Sequence, residues 1–335
     1  MAIQRVTVIS TRREWLQRLG LLGGSVLFGS FPIACGRTEA PAETSGEEPA
    51  AAPASGDALA AQRAQMAAAP IEMMELGAGL MMLSGPGGNV LVLNGADGRI
   101  VVDTFVQPAW PQLRSAIDGF GPEPTAAVIN THWHFDHSDN NASFRAAGAR
   151  IVAHENTARR MAESHELLGM QVPPSPPDAR PTETFAGTRS IEANGEQIEL
   201  AYVPPAHTDT DISVRYTKAN VLHAGDLFFN GLYPFIDAGT GGNINGMVAA
   251  ADRLLTLADT STRIVPGHGP LADRAALTRY RDMLATTRDR VQKLKAAGRP
   301  LEDVQKERPT ADLDDVWGKG FMSPDDYVAL VYNTL

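Results

Sequence analysis

Three histidines and one aspartate fall within six residues of this sequence, at His132, His134, Asp136 and His137. In an extended segment alternate side chains point to the same side, so His132 and His134 can face one point in space. Asp136 and His137 follow where the chain must turn, and they can face a second point. Imidazole and carboxylate groups bind zinc and other borderline divalent metals. A lone His-x-His pair is usually chance, but four such side chains at this density predict a metal site.

Three later residues offer further ligands, and each lies in a turn that contains glycine or proline. His207 follows Pro-Pro-Ala, Asp226 follows Ala-Gly, and His268 follows Pro-Gly. Glycine and proline let the backbone turn sharply and project one side chain. One histidine after such a turn is usually an ordinary loop residue. Together with the first motif, however, these positions indicate a single site built from distant parts of the chain.

The order of these residues resembles the metallo-β-lactamase superfamily, and the match runs over roughly residues 90–269. The resemblance implies an α/β fold, the αβ/βα four-layer sandwich of that superfamily. In this fold two β-sheets lie face to face, helices cover the outside, and the metal site lies at one edge.

The resemblance also implies two Zn²⁺ ions, with iron or manganese as alternatives. The implied ligands of the first metal are His132, His134 and His207; those of the second are Asp136, His137 and His268; and Asp226 bridges the two. Because zinc lowers the pKa of bound water towards about 7, the implied reaction is attack by a shared hydroxide on a carbonyl or phosphoryl centre. Asp136 is the implied catalytic residue, which orients the nucleophile and can relay a proton.

Asp226 also bears on the substrate. True β-lactamases of the superfamily typically carry Cys or Ser here, whereas an aspartate resembles the thioesterase, lactonase and phosphodiesterase branches. We therefore predict a hydrolase of an ester, lactone, thioester or amide-type bond, with a β-lactamase proper as the first alternative. An iron-dependent oxidoreductase of the same fold and a non-catalytic metal-binding lipoprotein are further alternatives.

Aromatic residues beside the motifs are candidates for the wall of a substrate pocket. Trp133 lies inside the first motif, and Phe229 and Tyr233 follow Asp226. A wall of this kind favours a small, partly apolar substrate.

Short strands and helices must position these residues. The predicted strands are 81–83, 89–93, 99–103, 126–130, 150–154, a hairpin over 190–203, 213–216, 220–223 and 263–265. The predicted helices are 108–120, 140–147, 157–168, 247–258 and 274–297, with a closing helix in the tail around Phe321 and Tyr327. Strand 126–130 ends at the first motif, as ligand-bearing loops often do in α/β folds. Asp103, at another strand end, resembles a structural aspartate of the family.

The N-terminal part has a different composition. Residues 1–35 resemble a twin-arginine signal peptide, with Arg12 and Arg13 before an apolar run that is too short and glycine-rich to span a membrane. The single cysteine, Cys35, ends this run as a bacterial lipoprotein site would, so lipidation is predicted, with a chance cysteine as the alternative. Residues 36–70 are rich in Ala, Pro, Glu, Ser and Gly and are predicted to be a disordered linker. The hydrolase domain is predicted over residues 71–335, in an exported protein that is periplasmic or membrane-anchored.

The charge of the chain limits its partners. The whole sequence carries −10, and residues 1–34 hold four arginines against one glutamate, which leaves −13 on the rest. So acidic a protein is a poor binder of nucleic-acid phosphates, and no basic cluster lies near the motifs. We predict a small-molecule substrate and no nucleic acid, and the sequence does not predict an oligomeric state.

Overall fold

The computed structural model describes residues 55–335. The strands, in chain order, are β1 (Glu72–Gly77), β2 (Leu80–Ser84), β3 (Asn89–Leu93), β4 (Arg99–Val102), β5 (Thr125–Ile129), β6 (Arg150–His154), β7 (His165–Leu167), β8 (Met170–Val172), β9 (Glu183–Phe185), β10 (Thr188–Ala193), β11 (Glu196–Tyr202), β12 (Ile212–Tyr216), β13 (Val221–Phe229) and β14 (Arg263–His268). The α-helices are α1 (Ser55–Ala67), α2 (Trp110–Asp118), α3 (Phe135–Ser138), α4 (Asn141–Ala146), α5 (Glu155–Arg160), α6 (Ile244–Leu257), α7 (Arg274–Ala296), α8 (Leu301–Lys306), α9 (Asp314–Trp317) and α10 (Pro324–Asn333).

The strands form two mixed sheets and a separate hairpin. The first sheet has the order β1-β2-β3-β4-β5-β6-β9, antiparallel from β1 to β4 and parallel from β4 onwards. The second sheet has the order β10-β11-β12-β13-β14, and only β13 and β14 pair in parallel. Each parallel pair needs a long connection, and α2 joins β4 to β5 as α6 joins β13 to β14. The α/β sandwich predicted from the resemblance is confirmed.

The core lies in three layers. Between the sheets, Leu91, Ile129, Ile198 and Val214 are completely buried. On the outer face of the first sheet, Val92 and Val128 pack with residues of α1 and α2. On the outer face of the second sheet, apolar residues of α6, α7 and α10 form the largest buried cluster. Because both faces of each sheet are covered, β3 and β13 are buried at every position. Residues 90–93 of β3 are a continuous apolar run rather than an alternating one, whereas β13 also buries His223 and Asp226.

Helix α1 corrects the predicted linker. Residues 55–67, inside the segment predicted to be disordered at 36–70, form a helix that packs against β8 and the turn at 107–109, in the buried cluster on the outer side of the first sheet. Leu59 is 2 % exposed, and Arg63 makes two hydrogen bonds of 2.7 Å to the carboxylate of Asp139. The composition was ambiguous because alanine is common in linkers and is also the strongest helix former. The predicted signal peptide, Cys35 and the first part of the linker lie outside the described residues.

Two further segments can be compared with the sequence predictions. The helix predicted over 157–168 ends at Arg160, and the chain then forms the β7–β8 hairpin. The proline-rich residues 173–181 contain no helix or strand. Within residues 55–335, no helix is both long enough and apolar enough to cross a membrane.

Candidate metal centre

The first motif lies at the C-terminal end of β5, but its backbone is not extended. Residues 131–133 form a bend, and His134 precedes the single-turn helix α3, which carries Asp136 and His137. The bend and the turn together direct all four side chains into one region between the sheets. The prediction that these side chains alternate along an extended segment is therefore wrong, although the four side chains do converge.

The second sheet supplies the remaining side chains. His207 lies in the loop after β11, and His268 is the last residue of β14. Asp226 was expected in a turn, but it lies inside β13, next to an irregularity in the pairing with β14. Gly225 has a φ of +52° there, and a Cβ on it would lie 2.7 Å from the Cβ of Thr131. The glycine thus allows β13 to bend and to bring Asp226 against the first sheet.

The seven predicted side chains form two groups. The first contains His132, His134, His207 and Asp226, and the second contains Asp136, His137 and His268. Within each group the potential ligand atoms all lie within 4.8 Å of one another.

Asp226 lies between the two groups. Its Oδ2 is 3.4 Å from His207 Nε2 in the first group and 3.4 Å from His268 Nε2 in the second. Its Oδ1 is 3.2 Å from His137 Nε2. One carboxylate therefore reaches both groups, which is the position of a bridging ligand.

The polar atoms at the centre fit a metal ion better than they fit one another. Within residues 55–335, His132 Nε2, His137 Nε2 and Asp226 Oδ1 are buried without a hydrogen-bond partner. A buried polar atom without a partner costs about 1–3 kcal/mol, so three in one cluster are a considerable cost. Imidazole nitrogens and carboxylate oxygens are ligands that divalent metals bind, and a cation between them would satisfy all three atoms. The donor set therefore fits divalent metal ions.

Asp103 orients the second group. Its Oδ2 lies 2.8 Å from His137 Nδ1 and accepts a hydrogen bond of 2.8 Å from the Thr131 hydroxyl, while its Oδ1 accepts one of 2.8 Å from the Thr131 backbone N–H. A carboxylate on one ring nitrogen fixes the tautomer and turns the other nitrogen toward the cluster. This placement agrees with the structural role that the resemblance implied for Asp103.

Asp237 does the same for the first group, and sequence reasoning missed it. Its Oδ2 lies 3.1 Å from His134 Nε2, which leaves His134 Nδ1 facing the cluster. His207 Nδ1 similarly lies 2.9 Å from the backbone oxygen of Phe235. Nothing local distinguishes Asp237 among the 39 acidic residues of the chain, because its partner is 103 positions away.

The two groups differ in protonation. Burial lowers the pKa of His132 well below its usual value and lowers that of His207 to about 4, so both rings are neutral at pH 7. Burial also acts against the charged form of His268, but the carboxylates of Asp226 and Asp136 outweigh it and raise the pKa to about 9. His132 and His207 are therefore ready to bind a cation. His268 must first lose a proton, and so must His137, because burial acts against its charged form but neighbouring carboxylates, Asp226 foremost, hold its pKa well above the usual value.

The predicted pocket residues have different places. Trp133 is buried against His134, with ring centres 4.7 Å apart, and the ring of Phe229 stacks on His268 at 5.1 Å. Both rings therefore pack against histidines of the cluster. Tyr233 does not reach the cluster: its ring stacks on Tyr327 at 4.3 Å inside the helical layer, and its hydroxyl donates to Asp314.

Two aromatic residues that were not predicted as pocket residues lie beside the cluster. Phe235 is partly buried, with its ring 6.0 Å from the rings of His134 and His207. Phe321 is 54 % exposed, with its ring 6.3 Å from that of His268. Phe321 was expected to pack in a closing helix, but it lies in the connection before α10, and its exposure has no local sequence signal.

Residues 83–296 match the family model described as the Metallo-beta-lactamase superfamily. The chain belongs to this superfamily. Part of it is 31% identical over 135 residues to the 2,4-dinitroanisole O-demethylase subunit alpha of Nocardioides sp. (strain JS1661), covering 39% of this chain and 38% of that protein. Another match is 30% identical over 167 residues to the hydroxyacylglutathione hydrolase of Polaromonas sp. (strain JS666 / ATCC BAA-500), covering 46% and 52%. The chain thus spans about two fifths to one half of the length of these relatives.

Solved structures are also similar in fold. A metallo-beta-lactamase from Pontibacter korlensis superposes with a TM-score of 0.55 at 20% identity, over 64% of this chain and 99% of that one. The stereoselective inverting sec-alkylsulfatase from a Pseudomonas sp. superposes with a TM-score of 0.59 at 17% identity, over 78% and 49%. At these identities the likeness shows the fold.

Proposed function

We propose that the protein is a dinuclear zinc hydrolase that cleaves an ester, lactone, thioester or amide-type bond in a small molecule. The observation that carries this proposal is the position of Asp226, whose carboxylate lies within 3.4 Å of histidines of both groups. Two complete groups joined by a carboxylate are what a pair of adjacent metal ions requires, and such pairs suit hydrolysis. The match to a hydroxyacylglutathione hydrolase supports the same reaction class.

The residues of the chain would have distinct tasks. Bound zinc would supply Lewis acidity and would acidify water towards a pKa of about 7. His132, His134 and His207 would hold the first ion, Asp136, His137 and His268 would hold the second, and Asp226 would contribute to both. Asp136 is the proposed catalytic residue, because its side chain is 13% exposed and its Oδ2 lies 3.4 Å from His268 Nε2 at the open edge. There it can accept a hydrogen bond from an attacking water and take up its proton.

Asp226 also separates this proposal from the β-lactamase alternative. A carboxylate stands where lactamases of the superfamily typically have Cys or Ser, which argues against a β-lactamase proper. A non-catalytic metal-binding protein would not need the second group to be complete. An iron-dependent oxidoreductase would use the same residues with a different metal.

Hydrolysis by the purified, zinc-loaded protein tests the proposal. We expect turnover of at least one carboxylic ester, lactone or thioester and loss of about 10³-fold or more in kcat for Asp226→Ala, since each ion would lose its shared ligand. Asp252→Asn, an exposed aspartate paired with Arg281, is the matched control. Hydrolysis of nitrocefin alone would favour a β-lactamase. Iron in the purified protein would favour an oxidoreductase. Bound zinc without any turnover would favour a non-catalytic binding protein.

We also propose that the protein is exported and anchored through Cys35. The supporting features are the Arg12-Arg13 pair, the apolar run that follows and the cysteine at its end. Cell fractionation tests both parts. Replacing both arginines with lysine should retain the protein in the cytoplasm, whereas Cys35→Ser should move it from the membrane to the soluble periplasmic fraction. A cytoplasmic location of the unchanged protein would contradict the proposal.

A further inference from the structure

The cluster is accessible from one side. The side chains of His132, His134, His137 and His207 are at most 3% exposed, and that of Asp226 is 5% exposed. Asp136 and His268, by contrast, are 13% and 18% exposed. A substrate must therefore approach beside the second group.

Phe321 stands at this approach. Its ring lies 6.3 Å from that of His268 and 6.2 Å from that of Phe229, which stacks on the same histidine. It is 54% exposed and is the one exposed aromatic residue among residues 58–335. An apolar ring held in water next to a reactive centre is a surface that an apolar ligand group would cover.

The surrounding chain holds this ring in place. Trp317 and Met322, on either side of it in the sequence, are each 6% exposed and belong to the helical core. The backbone oxygen of Trp317 accepts a hydrogen bond of 2.8 Å from the N–H of Tyr233. A Cβ on Gly320 would lie 2.7 Å from a methyl group of Leu232, so the segment lies close against the core. Phe321 is thus an exposed side chain on a fixed backbone.

We propose that Phe321 is a specificity-determining residue that contacts an apolar group of the substrate next to the bond being cleaved. This inference rests on the proposed hydrolase function and narrows its substrate class to esters and thioesters whose acyl part carries a hydrocarbon ring or chain. Phe235, partly buried beside His134 and His207, offers a second apolar surface near the first group. A substrate that reaches the second group meets the phenyl ring of Phe321 there.

Thiol binding to the cobalt-substituted protein tests the contact without any turnover. The dissociation constants of ethanethiol and 2-phenylethanethiol are measured from the sulfur-to-cobalt absorption band. We expect the unchanged protein to bind 2-phenylethanethiol about tenfold more tightly, because its ring can lie on Phe321. Phe321→Ala should abolish this preference, and Phe321→Leu should keep part of it. The proposal is overturned if the unchanged protein shows no preference or if Phe321→Ala keeps it.

Val316→Ala is the matched control. Val316 is 40% exposed in α9, close in sequence to Phe321, but it lines a groove of about 880 Å³ that contains none of the seven ligand residues. Its replacement should leave the thiol preference unchanged. An equal loss in this variant would mean that any apolar truncation in the region has the same effect, and would overturn the specific role of Phe321.

Thioester hydrolysis separates this inference from the proposed function. The ratio of kcat/KM for a phenylacetyl thioester to that for the acetyl thioester should fall about tenfold in Phe321→Ala, with the change mainly in KM. Hydrolysis with an unchanged ratio would overturn the role of Phe321 and leave the hydrolase standing. A thiol preference without hydrolysis of any carboxylic ester, lactone or thioester would contradict the hydrolase and leave the apolar contact standing.

Discussion

Two aspartates outside the metal groups determine how two of the histidines present their nitrogens. Asp103 contacts His137 Nδ1 at 2.8 Å and Asp237 contacts His134 Nε2 at 3.1 Å. The two contacts use opposite ring nitrogens, so His137 presents Nε2 to the cluster and His134 presents Nδ1. Without these partners each ring could rotate or change tautomer, and the ligand atoms would no longer converge.

Asp237→Asn tests this role. The amide keeps the size of the side chain but removes the charge that favours the correct tautomer of His134. We expect the affinity for zinc to fall by about 10–100-fold, as measured by competition with a chromophoric chelator. The exposed variant Asp252→Asn should leave the affinity unchanged, and an unchanged affinity in Asp237→Asn would contradict the positioning role.

The charge state of His268 predicts proton release on metal binding. Asp226 and Asp136 raise the pKa of His268 to about 9, so at pH 7 its ring is protonated in the metal-free protein. A metal ion must displace that proton, and its affinity should rise with pH by about tenfold per unit for each proton released, until pH 9 is passed. Calorimetric titration in two buffers of different ionisation enthalpy measures the protons released. His268→Ala should release fewer protons, and equal release by both proteins would contradict this assignment.

At the scale of elements, helix α1 should stabilise the sandwich. Leu59 is buried in the cluster on the outer side of the first sheet, and Arg63 pairs with Asp139, whose pKa is raised by burial. We expect Leu59→Ala to lower the free energy of unfolding by about 2–3 kcal/mol. Arg63→Ala should lower it by about 1–2 kcal/mol, since the arginine is partly exposed and water screens the pair. Urea unfolding measures both, and Gln65→Ala, at an exposed position of the same helix, should change little.

The sequence was sufficient to predict the residues and elements whose signal lies within a few neighbouring positions. His132, His134, Asp136 and His137 stand out because metal ligands are rare at that spacing. His207, Asp226 and His268 stand out because each follows glycine or proline residues, although the structure places Asp226 inside β13. Most strands of the two sheets follow from apolar runs between turn residues. The resemblance supplied the topology, which short-range patterns do not contain.

The remaining features depend on contacts between distant residues. Helix α1 is anchored by contacts such as that of Arg63 with Asp139, 76 positions later, and the role of Asp237 depends on His134. The β7–β8 hairpin forms where the sequence pattern also suits a helix, so tertiary packing decides between them. The exposure of Phe321 depends on the path that the backbone takes between the buried Trp317 and Met322.

At the scale of the whole molecule, the metal centre joins the two sheets. The first motif follows β5 of the first sheet, whereas His207, Asp226 and His268 come from β11, β13 and β14 or the loops after them. Asn89 of the first sheet adds a further link, because its side chain donates to the backbone oxygens of Pro266 and Gly269 beside β14. Ions held by both groups would therefore connect the sheets at this edge.

Removal of metal should consequently destabilise the whole sandwich. A ligand at about 1,000 times its dissociation constant adds about 4 kcal/mol to the free energy of unfolding, and for a chain of this size that corresponds to about 10 °C in Tm. We expect a chelator to lower the Tm, measured by calorimetry, by about that amount, and added Zn²⁺ to restore it. In Asp226→Ala, which lacks the ligand shared by the two groups, the chelator should have a much smaller effect. A chelator that lowers the Tm of both proteins equally would mean that the stabilising ion is bound elsewhere, because only the unchanged protein has a centre that ties β13 to the first motif.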